Sequence, residues 1–312
     1  MDSNDSSPKV FLEDGVLRDG LQAESRIFGL EEKRSLFERL QRAGVPQIQV
    51  GAFVHPDVVP QMADTDALVH AIGGQPHTIV SALVLNEKGL ARALACGAPH
   101  VNMSVSVSDT HSRKNTRRPA KEALAGMAAA IEQALKAGLG VRAGLQCVFG
   151  CVYEGPIAVE AVLAAAEQLA RTGVKEINLA DTTGMATPAA VDRMILRMKK
   201  VLPHLRISLH LHDTRGLGLA NMWAAYQCGV KDFDVCAGGL GGCPFVKGAA
   251  GNVPTEDAVH MFEASGISTG IDLDALCETV TYLESLLERP LPGRMKRVLE
   301  AQQDCDMLPP GC

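Results

Sequence analysis

The sequence has no GxGxxG dinucleotide fingerprint after its first predicted strand, no P-loop, and no HExxH or CxxC zinc signature. These absences argue against the common nucleotide-binding folds and against thiolate-rich zinc sites. No apolar run reaches the roughly 18 residues of a membrane-spanning helix, so we expect no transmembrane segment. Acidic residues outnumber lysine and arginine by 36 to 30, which argues against a general nucleic-acid-binding protein.

Signs of export are also missing. The first ten residues, MDSNDSSPKV, lack both the apolar core of a signal peptide and the arginine-rich pattern of a transit peptide. The 9 cysteines are scattered through apolar segments, which is typical of reduced, buried thiols. We therefore expect a cytoplasmic protein.

One phrase recurs along the 312 residues: a helix-like stretch, a small residue, a glycine and then a short β-rich run. A glycine just past a helix supplies the left-handed C-cap, and the run that follows is the next buried strand. The phrase occurs at residues 43–45, 96–98, 137–139, 172–174 and 228–230. This rhythm predicts strands that alternate with helices, and hence a parallel sheet.

The full pattern predicts eight strands, near residues 9–13, 47–51, 78–84, 100–105, 140–146, 175–180, 206–212 and 232–237. Helices are expected near 30–43, 61–72, 87–96, 120–137, 158–172, 188–201, 217–228 and 254–264, with an extra C-terminal helix near 272–288. Eight such units favour an α/β fold of the (β/α)₈ TIM-barrel type over an open sheet, which is the alternative. We place the barrel domain at 9–290, after a flexible N-terminus at 1–8 and before a C-terminal tail at 291–312.

Two histidines share one face of the seventh strand. His210 and His212 alternate with leucines, so both imidazoles point into the barrel near its mouth. They either chelate one metal or form a hydrogen-bonded pair, and the strand alone does not decide between these.

Other polar residues follow the first, sixth and eighth strands, where the chemistry of a TIM barrel is found. Arg18 and Asp19 are either a loop-capping pair or site residues, and Asp181 is either a base or a loop cap. The glycine-rich stretch after the eighth strand carries Cys243, which could transfer a proton, and Asn252, an oxygen ligand or a helix N-cap. Together Asp, Asn and two His offer the mixed ligands that suit Mg²⁺ or Mn²⁺.

These motifs resemble hydroxymethylglutaryl-CoA (HMG-CoA) lyase, one of the metal-dependent barrel lyases related to isopropylmalate and homocitrate synthases. RDG and HxHD are shared with the synthases, whereas the glycine-rich stretch is specific to the lyase branch. The matching stretches are LRDGLQAE (17–24), FVHPDVVPQMAD (53–64), GCVYEG (150–155), LADTTGMATP (179–188), LHLHDTRGLGLAN (209–221) and AGGLGGCPFVKGAAGNVPTED (237–257).

The resemblance implies a carbon–carbon lyase acting on a 3-hydroxyacyl-CoA, by default HMG-CoA, which gives acetyl-CoA and acetoacetate. It also implies a role in leucine degradation and a homo-oligomer, either a dimer or a tetramer. By position, it implies that a divalent cation is held by Asp19, His210, His212 and Asn252. It implies catalytic roles for Arg18 at the enolate, Cys243 in proton transfer and Asp181 as an acid–base or polar partner. Substrate contacts are implied for Arg18, Gln22, Gln49 and Gly144, and CoA contacts for Arg26 and Lys114.

Three positions depart from the lyase pattern. Gln49 stands where a glutamate is usual, Gly144 where a tyrosine is common, and His55 where a serine is common. All three bear on the acyl group. The alternatives are a related lyase such as a citramalyl-CoA lyase, a Claisen-type enzyme that condenses acetyl-CoA with a 2-oxo acid, and a barrel that binds without catalysis.

Overall fold

Eight parallel strands close into a barrel in sequence order, with the last strand paired to the first. The structure is a computed structural model that describes residues 10–242 and 251–306. The strands are β1 (Phe11–Asp14), β2 (Gln47–Ala52), β3 (Ile79–Val84), β4 (His100–Ser106), β5 (Gly140–Gln146), β6 (Glu176–Ala180), β7 (Arg206–His210) and β8 (Asp232–Val235). The predicted TIM barrel and its eight strands are confirmed.

Helices follow the strands and cover the outside of the barrel. Apolar residues on the outward face of each strand pack beneath them, as Phe233 of β8 does against Phe262. The helices are α1 (Leu30–Arg42), α2 (Thr65–Ile72), α3 (Glu87–Ala95), α4 (Asp109–Thr116), α5 (Ala120–Lys136), α6 (Val159–Ala170), α7 (Pro188–Val201), α8 (Gly218–Gln227), α9 (Thr255–Ala264), α10 (Leu273–Leu287) and α11 (Met295–Asp306). The extra C-terminal helix near 272–288 is α10. Within the described ranges, none of these helices is both long and apolar enough to cross a membrane.

Two helices were not predicted. The sequence of α4, DTHSRKNT, is polar throughout and has no apolar stripe, so only the Ser108 N-cap marks its start. Helix α11 lies in the range expected to be a tail. Its first turn is held by Asp257, whose Oδ1 accepts the backbone N–H groups of Arg294 and Met295. This cap comes from a distant part of the chain, so the local sequence does not reveal it. Residues 1–8 lie outside the described residues.

Two strand ends matter for the site, and β7 ends earlier than the predicted range of 206–212. Strand β1 stops at Asp14, and the segment Val16–Gly20 forms a π-helical turn that carries Arg18 and Asp19. Single π-turns are rare and are frequent at functional sites. Strand β7 stops at His210, and His212 instead forms an isolated bridge with Asn252.

The middle of the barrel is polar, although this layer is usually filled by branched apolar side chains. One buried polar residue from each strand belongs to a single connected set, which hydrogen bonds and ion pairs hold together. We call this set the central polar network: Glu13, Gln49, Ser81, Asn102, Arg142, Asn178, Ser208 and Asp234.

Candidate active site and metal centre

Three predicted ligands converge at the mouth of the barrel. One carboxylate oxygen of Asp19 and one ring nitrogen from each of His210 and His212 all lie within 4.8 Å of one another. The two Nε2 atoms are 3.1 Å apart, and the Nε2 of His210 is 3.7 Å from Asp19 Oδ2. Such a spacing allows all three to share one cation.

Asn252, the fourth predicted ligand, lies beside these three residues. Its Nδ2 donates to Asp19 Oδ2 at 2.9 Å and to the carbonyl oxygen of Leu240 at 3.1 Å. With the amide nitrogen engaged on this side, the Asn252 Oδ1 is the atom available as an oxygen ligand. The backbone bridge between His212 and Asn252 holds these two residues side by side.

Asp234 orients the first imidazole. Its Oδ2 lies 3.2 Å from His210 Nδ1, and because a carboxylate only accepts, Nδ1 is the protonated nitrogen. The lone pair of Nε2 is then directed at the shared focus, as is typical of metal-binding histidines. Arg142 holds Asp234 in turn, through Nη1 at 2.6 Å and Nη2 at 3.1 Å.

The protonation states fit a metal site. Burial opposes the charge of Asp19, but the Arg18 guanidinium, then His210 and His212, outweigh it and hold the pKa of Asp19 well below its usual range. Burial, followed by the charge of His210, lowers the pKa of His212 to about 3. Asp19 is therefore a carboxylate and His212 a neutral imidazole, which are the forms that bind metal. The Nδ1 of His212 is buried and has no hydrogen-bond partner among the residues described.

Arg18 lies directly beside this focus. Its Nη1 donates to Asp19 and its Nε donates to the Oε1 of Gln49. Gln22 Nε2 donates to the same Asp19 oxygen, Oδ1, at 2.8 Å. Gln49 also reaches Glu13 of the central polar network at 3.5 Å, so it connects Arg18 with the barrel interior.

Asp181 follows β6, and its side chain caps the loop after that strand. Its Oδ1 accepts the backbone N–H groups of Met185 and Ala186 at 2.8 and 3.1 Å. Its Oδ2 is buried without a hydrogen-bond partner in the described ranges. Burial raises the pKa of Asp181 to about 6, against the two backbone donors, which lower it. A carboxyl group near neutrality is suited to exchanging protons.

The remaining predicted contacts are spread around the mouth. Arg26 donates to Glu32 at 2.5 Å and to the carbonyl of Leu286, and Lys114 lies 4.8 Å above the ring of Tyr153. Neither position tests the expected CoA contacts. Cys243 lies outside the described residues.

Two of the three positions that depart from the lyase pattern lie in different surroundings from each other. Gly144 lies on β5 within the barrel wall, where an added Cβ would meet Ser104 Oγ at 3.0 Å. A larger residue there requires Ser104 to move. His55 is 70% exposed in its side chain, with Asp57 at 3.7 Å, so it lies on the surface and not inside the barrel.

Sequence reasoning missed the residues that support the site, Asp234 and Arg142. Strand β8 reads Asp232–Phe233–Asp234–Val235, so carboxylates alternate with apolar residues inside a buried strand. The alternation indicates that the carboxylates face the barrel interior, where a charge needs a partner.

Comparisons with known proteins agree with this geometry. A family model described as HMGL-like matches residues 9–282. The chain is 39% identical over 294 residues to the (R)-citramalyl-CoA lyase of Chloroflexus aurantiacus, covering 91% of this chain and 93% of that protein. It is 38% identical over 293 residues to an HMG-CoA lyase of Bacillus subtilis, covering 94% and 98%.

Solved structures give the same result. The crystal structure of the Bacillus subtilis HMG-CoA lyase matches with a TM-score of 0.91 at 38% identity, covering 94% of this chain and 99% of that one. An HMG-CoA lyase from Acinetobacter baumannii, in complex with coenzyme A and 3-methylmalate, matches with a TM-score of 0.88 at 36% identity, covering 95% and 96%.

Proposed function

This chain belongs to the HMGL-like family, and we propose that it cleaves the carbon–carbon bond of a 3-hydroxyacyl-CoA, with HMG-CoA as the default substrate. It is a lyase of the oxo-acid type. The observation that carries the proposal is the meeting of Asp19, His210 and His212 beside Arg18, in a chain 38% identical to an HMG-CoA lyase. Acetyl-CoA and acetoacetate are the expected products.

The residues fit a divalent cation. One carboxylate, one amide oxygen and two imidazole nitrogens form a mixed oxygen and nitrogen set, which suits Mg²⁺ or Mn²⁺ better than a thiolate site would. Asp19, His210, His212 and Asn252 would hold it. When bound, such a cation acidifies the substrate hydroxyl and polarises its oxygens.

The chain's own groups account for the rest of the reaction. A base removes the proton from the 3-hydroxyl, and Asp181, with its pKa near 6, is the candidate. The O–H electron pair forms the new carbonyl, and the bond between C2 and C3 breaks. Its electrons pass to C2 and the thioester oxygen as an enolate.

The enolate then needs a counter-charge and a proton. Arg18 is placed beside the focus to stabilise the oxyanion, a contribution of about 3–4 kcal/mol for one well-placed donor. Cys243 is the proposed proton donor to C2. Gln22 holds Asp19 in place, and Gln49 holds Arg18.

A second acyl substrate is favoured by a specific observation. One relative, at 39% identity, is an (R)-citramalyl-CoA lyase, and Gln49 and Gly144 depart from the HMG-CoA lyase pattern. Citramalyl-CoA undergoes the same bond cleavage and yields acetyl-CoA with a 2-oxo acid. Gly144, Gln49 and Gln22 are the proposed acyl contacts, and Arg26 and Lys114 are the proposed CoA contacts.

The test is a panel of acyl-CoA substrates with Mg²⁺ or Mn²⁺, read by the masses of the products. Formation of acetyl-CoA from HMG-CoA or citramalyl-CoA supports the lyase and identifies the acyl group. Consumption of acetyl-CoA with a 2-oxo acid indicates a synthase, and no turnover on any member of the panel contradicts the proposal. Asp19→Asn should abolish the metal-dependent turnover while the barrel stays folded. A cytoplasmic location, a role in leucine degradation and a homo-oligomer stay predictions.

A further inference from the structure

The glycine turn, which we define as Ala237–Leu240, lies between the metal centre and the C-terminal segment. All four of its residues are buried. Gly238 and Gly239 both have φ of 67°, a left-handed conformation that favours glycine. On its inner side, the carbonyl oxygen of Leu240 accepts the Nδ2 of Asn252 at 3.1 Å.

The outer side of the turn is packed against residues 291–293, which we call the C-terminal brace. A Cβ on Gly238 would meet Leu291 Cδ1 at 2.4 Å, and one on Gly239 would meet Pro292 Cγ at 3.2 Å. The backbone N–H of Gly293 donates to the Gly238 carbonyl at 3.1 Å. The two segments therefore contact each other without a gap.

The brace is itself anchored at both ends. Before it, the N–H of Leu291 donates to Glu284 of α10 at 2.7 Å. After it, Asp257 of α9 accepts the N–H groups of Arg294 and Met295, as described for α11. Leu291 is only 4% exposed, so its side chain fills the space beneath the turn.

We propose that the C-terminal brace positions the Asn252 amide through the glycine turn, so that the affinity of the metal site is set partly from outside the barrel. Leu291 is thus a positioning residue, and this rests on the proposed metal site. The physical reason is the orientation of one amide. The Nδ2 of Asn252 donates both to Leu240 on the turn and to Asp19, and these two hydrogen bonds together fix which way the amide Oδ1 is turned.

The experiment measures the affinity for Mn²⁺ by EPR titration in the full chain, without substrate. Leu291→Ala should weaken Mn²⁺ binding about tenfold, as is typical when the support of a metal ligand is removed. The matched control is Leu169→Ala in α6, an equally buried leucine that is distant in the fold. It should lose comparable stability, yet bind Mn²⁺ as the wild type does.

Two further variants make the test decisive. Leu291→Val is a milder truncation in case the alanine variant does not fold, and it should give a smaller loss in the same direction. In an Asn252→Ala background, Leu291→Ala should have no further effect on Mn²⁺ binding, because the two changes act through one ligand.

The outcomes separate this inference from the proposed function. If the wild type binds no Mn²⁺, both the metal site and the inference that rests on it are overturned. If the wild type binds Mn²⁺ and both Leu291 variants bind it equally well, only the brace is overturned. Equal weakening by Leu169→Ala would also overturn the brace, because the effect would then be general loss of stability.

Discussion

Glu13 and Asp14 are neighbours on β1, yet they belong to two different electrostatic environments. Glu13 faces the barrel interior, where it forms an ion pair with Arg142. Asp14 faces outward, where it accepts Thr255 Oγ1 at 2.6 Å and the N–H of Val16 at 2.8 Å. Both side chains are buried, with relative exposures of 2% and 0%. The difference between them is therefore the counter-charge and not the degree of burial.

The same contrast holds for a second pair of carboxyl groups. Inside, burial opposes the charge of Asp234, but Arg142 and His210 outweigh it and lower its pKa. Outside, burial raises the pKa of Glu256 to about 8 and that of Asp14 to about 6. No cation lies within ion-pair distance of Glu256 or Asp14 in the ranges that the structure describes. The pKa of Asp234 is thus lowered where an arginine faces it, whereas burial without a cation raises the pKa of Asp14 and Glu256.

We call Glu13 and Asp234 the inner set and Asp14 and Glu256 the outer set, and each set supports the proposed metal centre by a different means. The inner set reaches His210 through Asp234, as a charged hydrogen bond. The outer set reaches the glycine turn through Glu256, whose Oε2 accepts the N–H of Gly238 at 3.0 Å. In this barrel an ion-paired carboxylate therefore holds the proposed ligand His210, whereas a carboxyl group with a raised pKa holds the glycine turn.

The largest expected effect comes from removing the inner counter-charge. Arg142→Met should destabilise the fold by about 3–5 kcal/mol, because it leaves buried carboxylates without a partner. The measurement is urea unfolding at neutral pH. Arg206→Met is the control, since that side chain is 51% exposed, and its ion pairs should contribute only about 0–1 kcal/mol. Equal losses in the two variants would contradict the inner role of Arg142.

The raised pKa of Glu256, in the outer set, should be detectable in the pH dependence of the free energy of unfolding. Glu256 has a raised pKa in the folded state, so its protonated form is the stable one, and stability falls as pH rises from 4.5 towards 8. Between pH 6 and 8 the wild type should lose about 2 kcal/mol of unfolding free energy from this group. Glu256→Gln should remove that loss, measured by urea unfolding in chelator.

The exposed Glu278 of α10 is the control for this titration. Glu278→Gln should leave the pH dependence of the wild type unchanged. A pH profile of Glu256→Gln identical to that of the wild type would show that Glu256 is ionised throughout, as the inner carboxylates are.

The hydrogen bond between Asp234 of the inner set and His210 predicts a smaller effect, on the affinity of the proposed metal site. Asp234→Asn should weaken Mn²⁺ binding about tenfold, or about 1.4 kcal/mol, because the carboxylate that fixes the His210 tautomer becomes a neutral amide, which can also donate. Glu13→Gln is the matched variant, since it also removes a carboxylate from Arg142 but does not contact His210. EPR titration with Mn²⁺ distinguishes them, and an equal loss in both would assign the effect to Arg142 instead.

How much of the fold and of the site could be predicted depends on how far apart in the sequence the interacting residues lie. The barrel follows from local patterns, because each strand and each glycine C-cap is contained in a few consecutive residues. The pair His210 and His212 is likewise visible as a two-residue spacing. The bond between Arg142 and Asp234 joins positions 92 residues apart, and no local pattern specifies it. Arg18 and Asp19 were expected after the first strand, but the π-helical turn that carries them was not predicted, because no local pattern marks it.

The smallest expected effect concerns a single hydrogen bond of the outer set. Thr255→Val removes the hydroxyl that donates to Asp14 and should cost about 1 kcal/mol at pH 7.5, where Asp14 is mostly a carboxylate. At pH 5 Asp14 is mostly protonated, so the hydroxyl stabilises less and the loss should shrink. Ser81→Ala, which removes a donor to the ion-paired Glu13, is the inner counterpart. If the cost of Thr255→Val is the same at both pH values, Asp14 does not titrate between them, and the contrast between the two faces of β1 is one of geometry alone.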